Sequence, residues 1–129
     1  RQRQMCIRDR CYLNHKNQIE MLNTEYKFGE VHRLSEQISS GSDKVQFKHV
    51  FENSHGGVSL VAFKAGQSLA KHLAPAEVMV YVMEGEIEFT MIDKLHTMKA
   101  GEFLLMGQDV SHSVVAKSDS KMMLVKIKA

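Results

Sequence analysis

The stretch "AKHLAPAEVMVYVMEGE", residues 70–86, decides how this chain is read. The chain's single proline, Pro75, marks a turn, and residues 77–84 then run as an extended segment that ends at Gly85. Side chains alternate along a strand, so Glu77, Met79, Tyr81 and Met83 share one face while Val78, Val80 and Val82 share the other. Both faces are mainly apolar. Such a strand needs cover on both sides, from its own barrel and from another layer or a second subunit. His72 and Glu77 stand at its entry.

Working outward, the same alternation recurs in short pieces. "KVQFKHVF" (44–51) alternates around Val45 and Phe47, "NSHGG" (53–57) is a turn cluster, and "GVSLVAF" (57–63) reads as a strand. Further strands are predicted at about 86–92, 95–99, 102–106, 111–116 and 121–128, separated by "DK", "AG", "GQD" and "KSDS". Short strands at this spacing, with no helical pattern between them, predict an all-β sandwich or barrel. In 86–92, Ile87, Phe89 and Met91 face inward and Glu86, Glu88 and Thr90 face solvent. In "SHSVVA" (111–116), His112 shares its face with Val114 and Ala116, where an imidazole needs a polar partner.

The N-terminal part is different. Residues 1–27 are polar and lack a period, which predicts a disordered tail; residues 28–129 form the single domain. The first ten residues, "RQRQMCIRDR", resemble translated sequencing-adaptor DNA. They hold four of the 17 Lys+Arg and one of the 15 Asp+Glu, so without them the formal charge of +2 becomes −1. The basic balance is therefore no argument for an anionic partner. Within "FGEVHRLSEQISSG" (28–41), Val31, Leu34 and Ile38 recur at helical spacing before a Ser-Ser-Gly stop, predicting a short helical segment. The chain's 2 cysteines, Cys6 and Cys11, fall in or beside the adaptor-like segment, which gives no disulfide framework and makes a cytoplasmic setting the expectation. No apolar run is long enough to span a membrane, and no basic stripe with interleaved aromatics suggests nucleic acid.

Two stretches resemble the cupin superfamily. "GQSLAKHLAPAEVMVYVMEGE" (66–86) is similar to its first motif at Gly66, His72, Glu77 and Gly85, with Ala74 where a second histidine would stand. "AGEFLLMGQDVSHSVVA" (100–116) resembles the second motif at Gly101, Glu102 and His112, with Gly107, Gln108 and Asp109 replacing the usual central Pro-x-Gly. The resemblance covers about residues 44–128. It implies an antiparallel jelly-roll β-barrel with a site inside it. It also implies a divalent transition metal (Fe, Mn, Zn or Ni) held by His72, Glu77 and His112, with Glu77 available for proton transfer when not fully coordinated. Ala74, Met79, Tyr81, Met83, Phe89, His96 and Met106 are the candidate lining residues of the pocket, and His96 is also a candidate replacement ligand.

Two functions from different classes remain open at this point. One is a metal-holding barrel, enzymatic or not, that binds a small polar or carbonyl-type molecule. The other is a metal-free barrel that senses or sequesters a small molecule, with His72, Glu77 and His112 as a hydrogen-bonded polar cluster. A homodimer is expected in either case, with Val78, Val80 and Val82 as an outward row buried between subunits. The strand methionines (Met79, Met83, Met91, Met98, Met106, Met122 and Met123) read as adaptable core filler rather than copper ligands.

Overall fold

The computed structural model describes residues 11–13, 19–41 and 43–128. Eleven strands appear: β1 (Cys11–Leu13), β2 (Ile19–Met21), β3 (Gln46–Asn53), β4 (Gly56–Phe63), β5 (Ser68–His72), β6 (Glu77–Glu84), β7 (Glu86–Met91), β8 (Lys94–Lys99), β9 (Phe103–Met106), β10 (His112–Ala116) and β11 (Ser120–Ile127). β1 and β2 pair only with each other. The rest form a four-stranded sheet in the order β5-β10-β7-β8 and a five-stranded sheet in the order β3-β4-β11-β6-β9. Every pairing is antiparallel. The two sheets enclose one core: the strand spacing predicts a sandwich or barrel, and the jelly roll that the family resemblance implies is what forms.

That core shows which face of each strand points in. Val61 and Phe63 of β4, Val78, Val80 and Val82 of β6, and Met122 of β11 meet Ile87 and Phe89 of β7, Met98 of β8, and Val114 and Ala116 of β10. The valine row of β6 therefore faces the barrel interior. This corrects the expectation of an outward valine row. Glu77, Met79, Tyr81 and Met83 take the outer face, because in a two-residue period only one set can fill the barrel.

Among the described residues, the outer face of the five-stranded sheet is covered along one part only. Ile38 and Leu34 pack there on Leu60, Ala62, Met83 and Met123, forming a second apolar cluster. The Lys121 ammonium of β11 holds this strap by donating to the Ser35 carbonyl at 2.6 Å. Elsewhere the face is bare: Phe103, Leu105 and Ile127 are exposed. The predicted helix over 28–41 contracts to one 3-10 turn at Leu34–Glu36. Val31, expected on its apolar side, is 99% exposed, because the strap turns only Leu34 and Ile38 toward the sheet.

Of the segment expected as a disordered tail, residues 1–10 and 14–18 lie outside the described residues. Residues 19–27 include β2 and a segment that bonds to β3 and to the strap. Asn23 exchanges backbone hydrogen bonds with Glu52 of β3, Thr24 Oγ1 donates to the Val50 carbonyl, and the Tyr26 hydroxyl donates to Gln37. Polar backbone and side-chain bonds to an edge strand anchor this segment, so a scan for apolar periodicity passes over it.

One turn needs glycine for a physical reason. Gly85, between β6 and β7, has φ +84°, and a Cβ there would fall 2.3 Å from the Asp119 carbonyl. This tight reversal lets β6 end in one sheet and β7 begin in the other.

Candidate functional site

The barrel's mouth lies between β5, the loop that follows it, and β10. Antiparallel pairing sets His112 directly across from His72. Their rings stand with centroids 4.1 Å apart and planes tilted by 58°. β5 had no counterpart in the sequence reading, because "SLAKH" has only Leu69 as a large apolar residue. Pairing with β10 makes it a strand nonetheless.

Both imidazoles are oriented by backbone carbonyls. His72 Nδ1 donates to the Ala70 carbonyl at 2.8 Å, and His112 Nδ1 donates to the Val110 carbonyl at 2.9 Å. A carbonyl can only accept, so this network assigns the proton to Nδ1 in each ring. In the neutral rings Nε2 then keeps a lone pair. His112 is buried and lies nearly parallel to Phe89, with centroids 5.6 Å apart and 9° between planes. Burial pulls the His112 pKa below its ordinary 6.5, and the neighbouring His72 adds to this against the opposing hydrogen bond to Val110. His72 is exposed at the rim.

Behind the two rings lies a cavity of about 170 Å³. Apart from His72, His112 and Lys126, its walls are apolar, with Leu69, Val80, Val114 and Leu124 among them. The loop carrying Ala74 closes one side, tied down where the Asp109 amide donates to the Ala74 carbonyl at 2.8 Å.

The candidate residues divide sharply. Of the candidates, His72, Ala74, Phe89, Met106 and His112 line the cavity. Glu77 does not. It begins the outer face of β6, and the inward residue beside it is Val78, which has no donor atom. The expectation that Glu77 completes a ligand set or acts as the proton carrier is corrected accordingly. Met79 lies on the same outer face and borders an external groove with Glu77, Leu105, Val125 and Ile127. Tyr81 and Met83 share that face, so none of the three lines the barrel. His96 sits opposite Phe89 on β8, half-buried but away from the cavity lining.

A divalent ion fits this set poorly. Among the described residues that line the cavity, two imidazoles are the only His, Cys, Asp or Glu side chains, and no group of three such side chains gathers anywhere among the described residues. A resident structural or catalytic zinc site takes three or four protein ligands.

The sequence reading missed Lys126, which lines the cavity from β11. Its signal was present: Met122, Leu124 and Lys126 share one face of the strand, and the first two are inward.

Comparison with known proteins agrees with this geometry. A family model described as the cupin domain matches residues 59–128, more than half of the chain. No curated protein matches significantly. Among solved structures, a conserved protein of unknown function from Streptococcus pyogenes superposes with TM-score 0.74 at 20% identity, covering 81% of this chain and 91% of its own. An RmlC-like cupin from Desulfovibrio desulfuricans gives TM-score 0.69 at 27% identity over 76% of this chain and 95% of its own. A protein named KdgF from Halomonas gives 0.62 at 20% identity, over 68% and 84%. Fold, motif positions and family match converge: the chain belongs to the cupin superfamily.

Proposed function

We propose that this cupin barrel binds a small, largely apolar molecule whose polar end is held by His72 and His112, without a resident metal. The observation that carries the reading is the pair of imidazoles fixed 4.1 Å apart over an apolar cavity, each with Nδ1 committed to a carbonyl. Apolar walls with a few convergent polar groups are the general form of a small-molecule site. The cavity is smaller than the roughly 300–1,000 Å³ of drug-sized sites, so the ligand is small. Among the described residues no carboxylate lines the cavity, and its ionisable groups are His72, His112 and Lys126, so binding rather than turnover is the reading.

One observation favours a second reading. Imidazoles that ligate metals characteristically donate their other ring nitrogen to a carbonyl or carboxylate, as His72 and His112 do. Under that reading the incoming molecule itself supplies the missing donors to a divalent ion.

The test is a titration of ¹⁵N-labelled protein with small hydroxylated and carbonyl compounds, following the His72 and His112 ring resonances, beside metal analysis of the purified protein. Ring shifts that weaken at least tenfold in His112→Phe and persist in Glu77→Gln support the binding reading. Less than about a tenth of an equivalent of transition metal after reconstitution removes the second reading. A panel that leaves both rings unshifted overturns the first. A homodimer would not bury the valine row, which is inside; the outer face of the same sheet offers exposed Phe103, Leu105 and Ile127 instead.

A further inference from the structure

We propose that Lys126 makes the cavity selective for small carboxylic acids that also carry a hydroxyl or enol group. This rests on the reading above, that the cavity is a ligand site, and adds the chemical class of the ligand.

Lys126 extends the inward row of β11 and sits across from Val78, a core residue. It is half-buried and has no ion pair or side-chain hydrogen bond among the described residues. Glu77, the carboxylate beside Val78 in sequence, faces the other side of the sheet. Lys126 is the one cationic side chain among the cavity's lining residues, and it has no internal counter-charge among the described residues. The cavity therefore favours an anion at Lys126.

The histidines impose the second requirement. Their uncommitted Nε2 atoms accept hydrogen bonds in the neutral rings, so the group that meets them has to donate. A carboxylate alone satisfies the lysine and leaves the imidazoles facing another acceptor. A molecule with a carboxylate at one position and a hydroxyl or enol at another satisfies both. Size and wall chemistry narrow the choice further. At about 30 Å³ for each water-sized group, a cavity of about 170 Å³ holds a body on the order of six such groups. Leu69, Val80, Val114 and Leu124 ask for branched aliphatic carbon rather than a second charge.

The experiment compares 2-hydroxy-3-methylbutanoate, its deoxy acid 3-methylbutanoate and its amide 2-hydroxy-3-methylbutanamide by NMR titration and calorimetry. The protein is the intact chain, as wild type, Lys126→Met and Lys126→Arg. The hydroxy acid is expected to bind at least tenfold more tightly than the amide and at least threefold more tightly than the deoxy acid. Lys126→Met is expected to erase the acid–amide difference, and Lys126→Arg to keep most of it. An amide that binds wild type as tightly as the acid overturns the role of Lys126 while leaving the cavity reading intact. A deoxy acid that binds equally well overturns the hydroxyl requirement. If all three compounds leave the His112 ring unshifted, both this inference and the reading beneath it fail. The wild-type comparison alone carries the test should Lys126→Met fail to fold.

Discussion

The two sheets solve different packing problems. The four-stranded sheet buries one face: His112, Val114, Ala116, Ile87 and Phe89 point in, while its outward side carries residues such as Lys71, Glu88 and Thr97. The five-stranded sheet is apolar on both sides, with the barrel core on one and Leu60, Ala62, Met83 and Met123 under the N-terminal strap on the other. The one-faced sheet can hold a chemically demanding residue such as His112, because its polar face fixes which side is in. The two-faced sheet gives no such cue, and a shift in register there changes little in apolar character. It forms the cavity's rear wall, to which β11 contributes Lys126, and takes the strap.

Substitutions can break this contrast, and the largest effect belongs to the shared core. Phe89→Ala removes a ring that is 1% exposed and stacks on His112. It is expected to cost about 3–5 kcal/mol in urea denaturation. The same change is expected to loosen the His112 ring, visible as broadening of its NMR signals. Leu60→Ala acts on the strap side of the other sheet, where Leu60 is fully buried beneath Ile38. A loss of about 2–4 kcal/mol is expected, with ligand titrations at the mouth unchanged. If mouth binding weakens as well, the two faces of that sheet are coupled and the contrast is too sharp.

A smaller effect follows from acid. The His112 pKa lies below 6.5 in the folded chain and returns to that ordinary value when unfolded. The unfolded chain therefore takes the proton first, and stability falls as pH drops below about 6.5, levelling once the folded ring is also protonated. Denaturation midpoints between pH 8 and 5 are the check. His112→Phe is expected to have a shallower decline than wild type, whereas an identical decline would assign the acid sensitivity elsewhere. Smallest is Lys121→Met, which removes the bond to Ser35 and the contact with Glu84. About 0.5–1.5 kcal/mol is expected, together with faster amide exchange confined to residues 34–38.

The same contrast explains what could be read from the amino acids. Most strand positions apart from β5 were legible, since turn clusters and alternation are local signals, whereas the jelly-roll arrangement came from the motif resemblance. His72 and His112 were legible because each stood out from its neighbours and matched a motif position. Glu77 was misassigned because β6 is apolar on both faces, so alternation sorted its residues into two sets without saying which set pointed inward. Lys126 was hidden by its chemistry, since a charged residue near a chain end reads as surface until Met122 and Leu124 are seen to point inward. The segment at residues 23–26 was hidden for the opposite reason, being held by polar bonds instead of apolar contacts.

The single hydrogen bond from the Asp109 amide to the Ala74 carbonyl ties together the loops after β9 and β5 at the rim. A bonded amide exchanges with solvent after that bond opens. Its exchange rate therefore clocks how often the rim parts. A molecule seated behind the two imidazoles and braced against that rim slows the clock, giving one backbone position that reports occupancy without a label on the ligand.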